Sequence, residues 1–322
     1  MELFRVQNYK IGVLLSAYNG EKYIAQQVES IMKQNNVNHI TLLIRNDGST
    51  DSTAQILNKL SKKYSNIRVV NESNIGLIAS FFKLLKIAVE EYNFDYYSFS
   101  DQDDYWMNDK LESAVSYLEK EDQSIPTLYG CCSSVVDENL QPTGFTTQEK
   151  KRKLTFFNTA IQNIIPGHNQ VLNRKLAEIV VSSTKNLSKI YSQDLWTTNV
   201  AAVTGKIVFD NSPHTWYRMH GTNQLGYGKS RINRVISHLS RLKQSEQRKM
   251  MIQLQKFMII FKDFMSAEQK KEINSFFANQ TSFLRRIKYI KNSKLYRQSK
   301  KESQQFRLLY ILGFYNVKEH RL

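Results

Sequence analysis

Proline is scarce, with 4 in 322 residues, and glycine, at 12, is also sparse. Long linkers and collagen-like repeats need both, so the sequence reads as continuously folded. Cysteine is nearly absent. Cys131 and Cys132 are neighbours in an apolar run, with no CxxC or Cys/His companion. Adjacent cysteines rarely bridge each other, which excludes a disulfide scaffold and fits buried thiols in a reducing compartment. No run of 18 or more apolar residues exists, so no transmembrane helix is expected. The opening MELFRVQNYKIGVLL lacks a basic start, an apolar h-region and a small-residue cleavage site, and reads as no signal peptide. The expectation is a cytoplasmic protein.

Acidic residues are short in one place only. Residues 1–228 hold 23 Lys and Arg against 23 Asp and Glu, whereas residues 229–322 hold 22 against 6 and so carry the whole net charge of +16. That break predicts a neutral domain over 1–228 and a basic appendage over 229–322, divided near Gly226-Tyr227-Gly228.

Apolar runs at Lys10–Ser16, Thr41–Arg45, Ile67–Val70 and Tyr96–Phe99 read as short buried strands. Helix-period segments lie between them at Glu21–Gln34, Asp51–Tyr64 and Leu77–Glu91. The alternation predicts an α/β fold with a mostly parallel central sheet, whose ligands bind beyond the carboxyl ends of the strands. Further on, Leu128–Val136 and Lys206–Phe209 read as strands, and Leu154–Ile165, Arg174–Ser182 and Asp194–Val203 as helices. Beyond Arg231 the chain reads as almost wholly helical, as in Met250–Met265 and Phe306–Phe314.

Polar motifs fall at the strand ends. Asp101-Gln102-Asp103-Asp104 offers carboxylates that can converge on a hard divalent cation; the bland alternative is a solvated acidic turn. Asn46-Asp47-Gly48-Ser49-Thr50-Asp51-Ser52-Thr53 makes a turn and a helix cap without needing a ligand, although Asp47 sits at the strand tip, where a base or ribose can reach it. Ser16-Ala17-Tyr18-Asn19-Gly20-Glu21 is a strand-to-helix turn. Arg218 and His220, two apart on an extended segment, point to one face.

Taken in order, SAYNGEKYI, NDGSTDST, Asn74-Ile75-Gly76, SDQDDYW, Gln193-Asp194-Leu195-Trp196 and YRMHGTNQLG resemble family 2 glycosyltransferases of the GT-A fold, in the bacterial rhamnosyltransferase-like branch. The resemblance covers about residues 9–228. It implies a Rossmann-like nucleotide-sugar domain in which Ser16, Tyr18, Asp47 and Ser80 hold the base and ribose and Asp101 faces the nucleotide. Asp103 and His220 are implied as ligands of Mg²⁺ or Mn²⁺, Arg218 as a diphosphate contact, and Asp194 as the base that deprotonates the acceptor. Trp106, His168 and Gln193 fall on the implied acceptor side; relatives often carry Glu or His where Gln193 stands.

The implied reaction is inverting, metal-dependent transfer from a dTDP- or UDP-sugar, rhamnose or another hexose, to a glycan or lipid-linked acceptor of a bacterial surface polysaccharide or glycoprotein. A catalytically silent nucleotide-sugar- or lipid-binding subunit is the rival class. A nucleotidyltransferase would want a Gly-rich basic loop after the first strand, which is absent. The basic appendage suits docking on an anionic membrane face, or else a homo-oligomer contact. Nucleic-acid binding is not expected, since no such motif accompanies the charge.

Overall fold

Every residue of Lys10–Ala17 except the first is buried, so this strand, β1, has to be flanked by strands and covered on both faces. The computed structural model describes residues 9–35, 39–147, 149–184, 190–220 and 244–317. In it β1 lies parallel between β2 (His39–Asp47) and β4 (Tyr96–Ser100), while β3 (Ile67–Glu72) extends the sheet beyond β2. Side chains alternate across the pleat. Ile11, Val13 and Leu15 of β1 and Ile40, Leu42 and Ile44 of β2 face α1 (Ile24–Met32), α2 (Thr53–Lys63) and α4 (Lys110–Leu118) in one apolar core. α3 (Leu77–Glu91) packs on the sheet through Phe81, whose ring meets Phe99 edge-on at 5.5 Å. Each such buried side chain contributes about 1.5–3 kcal/mol.

The remaining strands are mixed in direction. β8 (Val171–Asn173) runs antiparallel to β4 and to β6 (Thr127–Val136), β6 runs parallel to β9 (Lys206–Arg218), and β5 (Tyr105–Trp106) and β7 (Pro142–Thr146) add antiparallel edges. The nine described strands form one curled sheet in the order β3-β2-β1-β4-β8-β6-β9-β5, with β7 beside β6. The parallel half is the one that periodicity predicts. β9 runs nine residues past its expected end at Phe209, because register shifts opposite Cys131–Ser133 admit the polar run and Pro213. Both cysteines are buried and in no disulfide, and burial pushes the Cys131 thiol up to about 11.

Two compact units emerge, and they are interleaved in sequence. The first comprises Met1–Glu149, Ile165–Ser188 and Gly205–Arg218; the second comprises Lys150–Ile164, Lys189–Thr204 and Met219–Leu322. The expected boundary at 226–228 lies outside the described residues.

In the second unit, α5 (Phe156–Thr159), α7 (Gln193–Thr204) and α8 (Gln244–Phe261) meet through Phe156, Trp196, Phe257 and Phe261. α9 (Ala267–Ala278), α10 (Phe283–Asn292) and α11 (Lys300–Ile311) gather Phe276, Tyr289, Phe306 and Tyr310. Capping boxes start α9 at Ser266 and α11 at Ser299. The helix expected over Leu154–Ile165 shrinks to α5. Asn158 donates to the Tyr296 carbonyl and Gln162 accepts from the Gln298 amide, so side chains take up backbone groups from elsewhere in the unit.

Gly205 lies where β6 and β9 begin to pair: a Cβ there would stand 1.8 Å from the Pro126 carbonyl oxygen, which the Lys206 amide also needs. Gly205→Ala should destabilise the protein by about 1–3 kcal/mol, seen as a lower urea midpoint at unchanged slope. An unshifted midpoint would contradict this packing.

Candidate active site

The carboxyl ends of β1, β2 and β4, with Ser80 of α3, carry the residues expected to hold a nucleotide. Ser16 Oγ and Ser80 Oγ are 2.6 Å apart and buried. Asp47, also buried, accepts from the Ile75 amide at 2.8 Å, from the Gly76 amide at 3.0 Å and from the Arg45 guanidinium. Gly76 adopts φ +85°, a left-handed conformation suited to glycine. Tyr18 is 47% exposed at the loop that follows β1.

Much of NDGSTDST latches that loop. Ser49 Oγ, Thr53 Oγ1 and Asp51 Oδ2 accept from the amides of Asn19, Gly20 and Glu21, while Asn19 Oδ1 and Glu21 Oε2 accept from the amides of Thr50 and Ser52. Gln102 closes the loop from the other side, accepting from the Tyr18 amide and donating to its carbonyl. Orphan donors of a tight turn are thereby satisfied.

Beyond β4 the chain turns after Ser100, and alternation along a strand no longer fixes where each carboxylate points. Asp101, Asp104 and His168 offer one ligand atom each within 4.8 Å of one another. His168 Nδ1 lies 3.2 Å from Asp101 Oδ2 and 3.5 Å from Asp104 Oδ2. Asp104 is fully buried, and its Oδ2 has no hydrogen-bond partner among the described residues. Burial pushes its carboxyl up to about 7, with the Asp103 and Asp101 charges adding to the shift against the pull of His168. Burial opposes charge on His168 too, yet Asp104 and Asp101 outweigh it and hold the imidazole above its ordinary value. The other ring nitrogen lies 3.3 Å from Ser133 Oγ, and Tyr217 stacks on the ring at 5.5 Å. An orphaned carboxylate oxygen beside a second carboxylate and an imidazole is a donor set that fits a divalent cation.

Several expected residues stand differently. The described cluster uses Asp104 and His168 where the sequence pointed to Asp103 and His220. Asp103 is half-buried and gives its carbonyl to Arg218 Nε at 2.9 Å. His168, expected on the acceptor side, faces the carboxylates instead. Trp106 is wholly buried in the core beneath the sheet, with Lys110 Nζ 4.6 Å above its ring, and presents no surface to an acceptor. Arg218 is 2% exposed: its guanidinium donates to Asp103 O, Glu138 O and Gln26 Oε1 and lies over Tyr23, as a buried arginine requires. Its observed contacts secure the acidic loop. His220, half-buried, follows two residues beyond β9 in the second unit.

Asp194 also belongs to the second unit, in the first turn of α7, where the helix dipole favours a carboxylate. Asn163 Nδ2 donates to its Oδ2 at 2.6 Å, and the Ser192 hydroxyl donates to Oδ1. The loop before it is fixed by Gln253 of α8, which accepts from the amides of Tyr191 and Ser192 and donates to the Ser192 carbonyl. Gln193 is buried, and its amide nitrogen has no acceptor among the described residues.

The family model "Glycosyl transferase family 2" matches residues 12–180, more than half of the chain and the part that carries the strand-end motifs and His168. The chain belongs to this family. The glycosyltransferase is 28% identical over 220 residues to "dTDP-rhamnosyl transferase RfbG" of Shigella flexneri, a match that covers 66% of this chain and 73% of that one. An "Uncharacterized glycosyltransferase" of Haemophilus influenzae is 35% identical over 113 residues, but there the match covers 35% of this chain and a third of the relative's length. Among solved structures, S. aureus TarS 1-349 in complex with UDP-GlcNAc superposes with a TM-score of 0.54 over 95% of this chain and 89% of that one, at 15% identity. At that identity the likeness establishes the fold, GT-A.

Four residues that order the candidate positions, three in the first unit and Gln253 in the second, are not signalled by the sequence motifs. Arg45, 1% exposed, ties Asp47 to Glu72 (2.7 Å), Ser73 O (2.7 Å) and Ser80 (3.2 Å); its signal was a cation ending an otherwise apolar strand. Gln102 and Gln253 act on backbone groups and have no motif of their own. Lys110 is 1% exposed and donates to His168 O at 2.8 Å, Asn169 Oδ1 at 3.2 Å and Thr215 Oγ1 at 2.5 Å. Burial holds its pKa below the usual lysine value. Lys110→Met keeps the bulk but strands these acceptors, and should cost about 2–4 kcal/mol of stability, read from the urea midpoint. A loss under about 0.5 kcal/mol would mean that Lys110 does not secure the segment carrying His168.

Proposed function

We propose that the glycosyltransferase transfers rhamnose, or another hexose, from a dTDP- or UDP-linked donor to a glycan or lipid-linked acceptor, with inversion at the anomeric carbon. The observation that carries the metal-assisted reading is the Asp101–Asp104–His168 cluster, buried at Asp104 and His168, just beyond a parallel strand end. Rhamnose is favoured by the likeness to a protein described as a dTDP-rhamnosyl transferase.

In this reading Asp47, Ser16, Ser80 and Tyr18 receive the base and ribose, and Asp101 faces the nucleotide. Asp101, Asp104 and His168 hold Mg²⁺ or Mn²⁺, and the family pattern adds Asp103 and His220. A cation there supplies positive charge against the leaving diphosphate. Arg218 serves the diphosphate through the acidic loop that its guanidinium holds. Asp194 accepts the proton of the acceptor hydroxyl as its oxygen bonds to the anomeric carbon, while the bond to the diphosphate breaks and the nucleoside diphosphate departs with the electron pair. Asn163 and Ser192 keep the carboxylate turned to this task, and Gln193 stands beside it on the acceptor side. Polysaccharide or glycoprotein glycan assembly at the inner membrane face is the setting.

Asp194→Asn should cut transfer by about 10² to 10⁴-fold, the usual loss on removing a general base, with donor affinity nearly unchanged. Collapse of donor affinity at normal turnover would make Asp194 a binding residue. Asp104→Asn should weaken Mn²⁺ binding by at least about tenfold in a titration without donor, since one anionic ligand is lost. Unchanged Mn²⁺ affinity in that variant, with loss in Asp103→Asn instead, would move the ion to the other carboxylate. Release of nucleoside diphosphate from dTDP-rhamnose, but not from UDP-hexoses, would establish the sugar; the reverse would overturn rhamnose.

A further inference from the structure

The second unit exposes large apolar side chains that its own packing does not use. α10 turns Tyr289 and Ile290 inward, where Tyr289 meets Tyr310 of α11 at 5.2 Å and donates to Glu272. Its other side leaves Leu284 76% and Phe283 52% exposed. On α11, Leu308 is 56% exposed, and Leu312, just past its end, is 55% exposed. The two sets are neighbours: Arg286 donates through Nε to the Ile311 carbonyl and through Nη1 to the Gln280 carbonyl, tying the end of α11 to the start of α10.

Charge along this stretch of chain is nearly all of one sign. Residues 279–317 hold nine Lys and Arg against a single acid, Glu302, which is engaged in capping α11. Leu284, Lys288 and Lys291 fall on one face of α10 at helical spacing, and Arg285 is exposed beside them. No described helix is long and apolar enough to cross a membrane. A subunit interface would be depleted of lysine at its core, and no nucleic-acid-binding motif accompanies the charge in the sequence. Apolar side chains rimmed by cations suit an anionic bilayer, where leucine and phenylalanine enter the acyl boundary and lysines reach back to the headgroups.

We propose that the face formed by α10 and the end of α11 docks the glycosyltransferase on anionic lipid, with Phe283, Leu284, Leu308 and Leu312 inserted and Arg285, Lys288, Lys291 and Arg307 against lipid phosphates. The inference rests on the reading of a lipid-linked acceptor, because docking brings the enzyme to such a substrate.

The test is sedimentation of the full chain with vesicles of phosphatidylcholine alone and of phosphatidylcholine with phosphatidylglycerol, alongside donor hydrolysis in solution. The full chain should bind only the vesicles containing phosphatidylglycerol, and raising salt from about 0.05 to about 0.5 M should release most of it as the Debye length shrinks. Leu284→Asp with Leu312→Asp should lower the partition coefficient at least about tenfold, and so should Arg285→Gln with Lys288→Gln, while donor hydrolysis stays intact. Indifference to anionic vesicles at low salt overturns the docking face, as does full binding by both double variants. So does conversion of an oligomer to monomer by the leucine variant without any lipid binding in the parent. Each of these leaves the catalytic reading standing if hydrolysis persists, whereas vesicle binding without hydrolysis of any donor overturns that reading alone.

Discussion

A carboxylate that no solvent reaches, Asp104, sets the terms for the first unit. Its Oδ1 lies 3.3 Å from the Arg218 amide, and His168 is 3.5 Å from its Oδ2. A buried anion is tolerated only where counter-charge and donors surround it. Those groups come from far apart in sequence, so the sheet has to bring β9 and the segment before β8 alongside the end of β4. Lys110, buried under the same segment, fixes the His168 backbone, and Arg218 fixes the acidic loop. Polar groups on this scale inside a core narrow the chain to one arrangement, since any slip leaves several of them unpaired.

Local pattern made the parallel half of the fold legible. Leu77–Glu91 is the helix that periodicity bounds, and the four early strands lie where apolar runs put them. Ser16 and Asp47, at the carboxyl ends of β1 and β2, lie close to Ser80 of α3, which bonds Ser16 and shares Arg45 with Asp47. Reading failed where tertiary contacts overrule local signals. β9 continues through Pro213 because a register shift accommodates it, and the segment around Asn158 gives up helix to bond Tyr296. In the acidic cluster the family resemblance implied Asp103, while the turn after Ser100 places Asp104 beside His168. His168 was visible as a residue, but its company with Asp101 and Asp104 depends on β8 lying beside β4, and no sequence period encodes that pairing.

The charge break at residue 228 separates two compositions without separating two folding units. Basic helices after residue 244 share a core with α5 and α7, through Phe257 and Phe261 against Phe156 and Trp196. Surface charge and core contacts are set by different side chains on one helix. A composition shift therefore marks where the solvated face changes character, while the aromatic residues beneath it record which segments fold together.

Gln253 gives that interleaving a consequence for how the enzyme comes into being. The loop ahead of Asp194 takes its hydrogen bonds from a side chain that the ribosome adds about sixty residues later. The parallel strands β1 to β4 are all made before α8 and can order themselves early in synthesis. The loop that leads into Asp194 waits for α8. A nascent or prematurely terminated chain of this kind would hold Asp194 through Asn163 and Ser192 on a loop that Gln253 does not yet fasten, so the order of translation sets the order in which this region becomes fixed.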